Sequence, residues 1–96
     1  MVTVVNRIKL RVPVDQIADD VRREMGPVMR TLPGFQRYYF LKAAEQEAIA
    51  IIVWDTAEHA NAGGAILGPT LFNQYIAPYA ESQDRVVAEV IASAEA

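Results

Sequence analysis

The side chain at position 6 is out of place. Val2, Val4, Ile8, Leu10 and Val12 are apolar at every second position, and Asn6 falls in the same series. A strand amide turned toward an apolar interior must find hydrogen-bond partners or cost about 1–3 kcal/mol. Two uses answer that demand: a bond to backbone or a buried water, and a donor inside a ligand cavity. His59 is the one histidine of the chain. Facing a cavity it would be the natural general base; facing solvent it would have no chemical task. Trp54 closes an apolar run and offers a large flat wall with one donor at its edge. Tyr38 and Tyr39 are adjacent in an aromatic-rich segment, and in a strand they point to opposite faces, one toward a cavity and one toward a partner. Simple alternation puts Arg37 on the face of Phe35, Tyr39 and Leu41, where a charge would reach an acid of a partner subunit or an anionic ligand. Tyr75 and Tyr79, four apart, read as helix packing.

Other chemistries are excluded by composition. The absence of cysteine rules out disulfides, thiolate catalysis and cysteine metal ligation. With a single histidine, no metal site and no cofactor site is expected. The net charge is −3, with acids and bases intermixed, so no basic stripe is available for nucleic acid or an anionic membrane. The segment Gly63-Gly64-Ala65-Ile66-Leu67-Gly68-Pro69-Thr70 is spaced like a phosphate loop, but Pro69 stands where the lysine is needed and no strand precedes it. Its glycines suit a loop, or a flexible lid beside a cavity. The longest apolar run, Ala48 to Trp54, falls far short of the ~20 residues that span a bilayer. No leader pattern opens the chain, and a cytoplasmic location is expected.

The elements that must position these residues follow from periodicity. Residues 2–12 alternate as a half-buried strand, which Pro13 ends. Asp15 can cap a helix carrying Ile17, Val21, Met25, Val28 and Leu32 on one stripe, with a kink or a second short helix at Gly26-Pro27. Leu32-Pro33-Gly34 stops it. Phe35 to Leu41 reads as a second strand, Ala44 to Glu47 as a hairpin connection, and Ala48 to Trp54 as a central strand apolar on both faces. Asp55 or Thr56 can cap the next helix, with Glu58 placed as in a capping box. The glycines divide that helix into two short pieces, the second carrying Leu71, Phe72, Tyr75 and Ile76 and ending at Pro78. Arg85 to Ala92 is the last strand.

Residues 1–96 therefore form one α+β domain of order βαββαβ, a ferredoxin-like four-stranded antiparallel sheet with helices on one face only. Chains this short bury only about 60–65% of their unfolded surface. The second face carries Ile49, Ile51 and Val53 and calls for a partner, most simply another copy in a homodimer.

The strand with Asn6-Arg7-Ile8, the turn Leu32-Pro33-Gly34-Phe35 and the junction Ile52-Val53-Trp54-Asp55-Thr56-Ala57-Glu58 together resemble the antibiotic biosynthesis monooxygenase-like family of dimeric α+β barrels. The resemblance runs along nearly the whole chain. It implies two subunits packed sheet against sheet, each with a cavity between its own sheet and helices. It further implies either cofactor-independent oxidation of a small phenol or hydroquinone to a quinone, or heme degradation. Asn6 matches the strand-one asparagine of the heme-degrading branch. Trp54 matches the tryptophan at the same junction of the quinone-forming oxygenases. On this reading Asn6 is the donor, His59 the base, and Trp54, Tyr38, Tyr39 and Arg37 bind the substrate. Two other readings stay open on the residues alone: a dimer that binds a small apolar molecule or heme without turnover, and a structural or regulatory dimer with no cavity.

Overall fold

A computed structural model describes residues 1–96. Four strands and a helical layer follow in the expected order: β1 (Val2–Leu10), α1 (Val14–Met29), β2 (Phe35–Ala44), β3 (Glu47–Trp54), α2 (Ala57–Leu67), a π-helical turn (Gly68–Phe72), α3 (Asn73–Tyr75), a 3-10 turn (Ala77–Tyr79) and β4 (Ala80–Glu89). The sheet order is β2-β3-β1-β4, and every pairing is antiparallel. No helix is long and apolar enough to cross a membrane.

Helix α1 buries Val14, Ile17, Val21, Met25 and Met29 at spacings of three and four, the stripe that seats it on the sheet. It is one continuous helix. Pro27 lies near its exposed end, and Gly26 before it has no Cβ to meet the pyrrolidine ring, so the expected break does not occur. Pro13, not Asp15, stands at the N-cap; Asp15 lies in the first turn and pairs with Lys42 at 2.8 Å. In the turn that follows, Phe35 N donates to Leu32 O at 3.3 Å, with Pro33 at the second position and Gly34 at the third with φ +78°. That is the residue pattern a type II turn requires.

Alternation on β2 is reset near its start. The register passes from Phe35 paired with Trp54 to Arg37 paired with Val53, so Gln36 is bulged. The bulge moves Phe35 off the face of Arg37, Tyr39 and Leu41 and onto the helix side. There its ring meets Trp54 edge-on, with centroids 5.9 Å apart and planes at 76°.

Helix α2 runs unbroken through Gly63-Gly64. Thr56 caps it, its side chain accepting from His59 N at 3.2 Å, so the Asp55–Glu58 capping box does not form. Gly63 is buried because the Trp54 ring lies on it: a Cβ there would stand 2.1 Å from Trp54 Cη2. The expected loop of glycines is thus helix, followed at Gly68 by the π turn. Strand β4 starts at Ala80, five residues before Arg85, and ends at Glu89. Its almost wholly exposed edge position removes the apolar alternation that marks a strand.

The two faces of the sheet differ. Toward the helices, Val4, Ile8, Ala48 and Trp54 join the residues of α1 and α2 in one core. On the other face, Tyr39, Ile51, Val5 and Val86 form an apolar row across all four strands in direct register. No helix belongs to this face, and Tyr39 and Val86 are 47% and 53% exposed.

Candidate functional site

A cavity of about 280 Å³ lies between the sheet and the second helical segment. Its floor is made by β1 and β3, with Val4, Asn6, Ala50, Ile52 and Trp54. Helix α2 and the π turn close one side with Ala60, Gly64, Leu67, Gly68 and Phe72; Met25 of α1 and Tyr38 of β2 close another. The π turn matters here, since the wider helical turn carries both Phe72 and the following Asn73 into the lining. Gln83 and Arg85 of β4 form the remaining wall. Small residues at 50, 60, 64 and 68 leave the space that larger ones would fill. The result is an apolar chamber with a short polar wall.

Asn6 is central to that wall. Its Nδ2 donates to Gln83 Oε1 at 2.9 Å, while its Oδ1 is buried without any protein partner. A buried amide oxygen left unpaired costs stability, and in a residue that also lines a cavity it calls for a partner the chain does not supply. Arg85 is the directly paired neighbour of Asn6 across the β1–β4 ladder, and Gln83 lies two residues from it on the same face. The three polar side chains therefore share one patch.

Tyr38 lines the cavity from the opposite side. Its hydroxyl lies 3.9 Å from Met25 Sδ, and burial pushes its pKa well above the ordinary tyrosine value of 10.0. It stays protonated and acts as wall, not as base.

The other expected site residues lie elsewhere. Tyr39 and Arg37 are on the opposite face of the sheet, because the residues that flank Tyr38 alternate away from the helices. Arg37 contacts Tyr39 Oη and Glu95, both at 3.4 Å. His59 is not in the cavity lining. Its Nδ1 is 2.6 Å from Asp55 Oδ1, one turn back. That pair closes over Gly34, where a Cβ would stand 2.2 Å from Asp55 Oδ1 and 2.3 Å from His59 Nδ1, and Asp55 N donates to Gly34 O at 2.9 Å. The turn motif and the junction motif thus form a clasp between the start of β2 and the start of α2. The hydrogen bond from His59, followed by its charge and by bonds from Thr56, holds the Asp55 carboxyl below its usual range.

Asn6, Trp54 and Tyr38 are brought together as one site; Gln83 and Arg85 join them without having been singled out in the sequence. The signal for both was weak, since they stand on an exposed strand whose own start is not visible in the hydropathy pattern.

No protein-family model and no curated protein sequence matches the chain. Solved structures do. SnoaB, a cofactor-independent oxygenase from Streptomyces nogalater, superposes with a TM-score of 0.78 at 17% identity, covering 96% of this chain and 94% of its own. A monooxygenase from the gene ActVA-Orf6 of Streptomyces coelicolor, in complex with nanaomycin D, gives 0.79 at 12% identity over 99% and 91%. MhuD with two manganese protoporphyrin IX molecules per active site gives 0.79 at 16% identity over the whole of both chains. At these identities the likeness is one of fold, and the chain has the ferredoxin-like α+β fold of the antibiotic biosynthesis monooxygenases.

Proposed function

We propose that this protein is a cofactor-independent monooxygenase that converts a small phenol or hydroquinone to a quinone. The observation that carries the reading is the unpartnered Asn6 Oδ1 at the polar wall of a largely apolar chamber floored by Trp54. Such chemistry asks little of a protein. The ring lies between Trp54 and the α2 wall, and its hydroxyl donates to Asn6 Oδ1. Ionisation of the hydroxyl makes the ring a reductant. One electron passes to dioxygen, and superoxide joins the ring radical at the carbon para to the oxygen. The hydroperoxide then loses its O–O bond and the ring hydrogen, leaving water and the quinone. For a simple phenol, one ring and one O2 give one quinone and one H2O; a hydroquinone, whose para carbon already carries oxygen, instead passes two electrons and two protons to O2 and gives the quinone and H2O2. With His59 committed to Asp55 outside the cavity, the proton leaves to solvent at the mouth, and the remaining Nδ2–H of Asn6 and the Nε2–H groups of Gln83 steady the charge that develops.

Binding of heme is less well supported by the lining. It offers no imidazole or thiolate, and Tyr38, its one phenol, is held protonated by burial. A shift of the heme absorption band on mixing would favour that alternative.

The test is oxygen uptake with a naphthol or hydroquinone series, with a chelator present. Replacing Asn6 by Ala should lower turnover ~100-fold, within the range for loss of one group that steadies developing charge. Stability should change by no more than about 1 kcal/mol, because an unpaired acceptor is removed together with one hydrogen bond. Unchanged turnover in Asn6→Ala would remove the assignment.

The apolar row Tyr39, Ile51, Val5 and Val86 supports a homodimer joined through this face, with a barrel formed between the two sheets. Light scattering should give twice the chain mass, and Ile51→Glu should return the monomer. A monomeric wild type would exclude the barrel.

A further inference from the structure

Arg85 is the only charged residue in the cavity lining, in a chain whose net charge is −3. It takes part in none of the ion pairs formed by Arg7, Arg22, Arg23, Arg37 and Lys42. No carboxylate lines the chamber to neutralise it. Its guanidinium lies beside Gly64 of α2, where a Cβ would come to 3.4 Å of Nη2. A guanidinium left free at the edge of an apolar chamber is a recognition group for a carboxylate, which it can hold through two parallel hydrogen bonds.

The position of Arg85 narrows the ligand further. It is the direct cross-strand partner of Asn6, and such pairs have Cβ atoms about 4.5–5.5 Å apart. The Asn6 amide donates to Gln83 and its buried Oδ1 has no partner, so the polar patch beside Arg85 is oriented by Gln83.

We propose that the cavity is specific for a phenol that also carries a carboxylate, the ring lying in the apolar chamber and the carboxylate held by Arg85 at the polar wall. This rests on the chamber assigned above as the substrate site and names the class of ring it takes. Gln83 is a positioning residue, fixing which way the Asn6 amide points.

Trp54 is the sole tryptophan and lies in the lining, so its fluorescence reports occupancy. Under nitrogen, where no turnover occurs, the protein is titrated with 1-hydroxy-2-naphthoate and with 1-naphthol, which share a ring system and differ in the carboxylate. Wild type should bind the hydroxy acid at least tenfold more tightly. Arg85→Gln should abolish that preference, costing the hydroxy acid at least tenfold more affinity than it costs 1-naphthol. Arg85 is exposed, so the variant is expected to fold, and its melting temperature checks this. Equal affinities in wild type, or equal losses of both probes in Arg85→Gln, would overturn the proposal. Oxygen uptake on admitting air is read separately. Tight, Arg85-dependent binding without uptake would sink the oxygenase reading and leave this one standing. Uptake with equal affinities would do the reverse, and failure of both probes to bind would remove both.

Discussion

The clasp of Gly34, Asp55 and His59 and the wall of Asn6, Gln83 and Arg85 make an instructive pair. Both are polar clusters that join one strand to a neighbouring element. The clasp is built from the most recognisable stretches of the sequence, a Pro-Gly-Phe turn and a Trp-Asp-Thr-Ala-Glu junction, and it contains the only histidine. Yet its polar groups turn to one another: His59 Nδ1 to Asp55, Thr56 to the His59 backbone, and the Asp55 backbone to Gly34. The wall comes from one odd amide and two residues of an unremarkable edge strand, and it holds the unpaired acceptor and the unpaired cation. A motif marks what the fold needs; an unsatisfied group marks what a ligand would supply.

The comparison can be broken most forcefully at Gly34. Its φ of +78° is a conformation that costs an L-residue about 1–2 kcal/mol, and any Cβ there runs into Asp55 and His59. Adding overpacking, Gly34→Ala should lose about 2–5 kcal/mol in chemical denaturation. That is a large part of the stability of a small domain. If the clasp is structural, the residual folded fraction should still bind a ring at the wall. A variant of wild-type stability would mean that the turn relaxes and the clasp is not rigid.

A milder substitution sharpens the division of labour. His59→Gln keeps a polar side chain at the helix start but removes the imidazole that meets Asp55. We expect a small drop in melting temperature and turnover within twofold of wild type, in contrast to the loss in Asn6→Ala. A half-exposed pair of this kind is worth little, so the stability change should be modest. A collapse of turnover with intact stability would return His59 to the role of base.

Much of the fold was legible in the sequence for a physical reason. Strict alternation in β1 and the spacing of Ile17, Val21 and Met25 reflect one-sided burial, which leaves a periodic trace. The departures all sit where that trace fails. Gln36 bulges, and a single extra residue reverses the facing of Phe35 relative to Arg37. Strand β4 is exposed along its length, so Glu81 to Asp84 look like loop. Gly63 is accepted inside a helix because Trp54 needs the room, a contact between segments that no local propensity records. For the site, the apolar-series position of Asn6 and the bulk of Trp54 were visible. The positions of Gln83 and Arg85 beside them depend on the β1–β4 register, which is known only once the chain is paired.

The smallest expected effect is a pH dependence that should touch the clasp and spare the wall. The Asp55 carboxyl is held below its ordinary value of 3.8 mainly by its hydrogen bond with His59. A group whose folded pKa is depressed stabilises the protein fully above its unfolded value and loses that contribution as pH falls through the folded one. Stability from this pair should therefore be constant down to about pH 4 and decline below it. Denaturation followed by Trp54 fluorescence should show a steeper acid limb for wild type than for Asp55→Asn, whose amide cannot take up the proton. Asn6, Gln83 and Arg85 include no group that titrates in that window, so affinity for a neutral ring such as 1-naphthol should stay flat wherever the protein remains folded. Parallel acid limbs for wild type and Asp55→Asn would show that the carboxylate contributes nothing measurable. The clasp would then owe its stability to the Gly34 turn and the Trp54 packing alone.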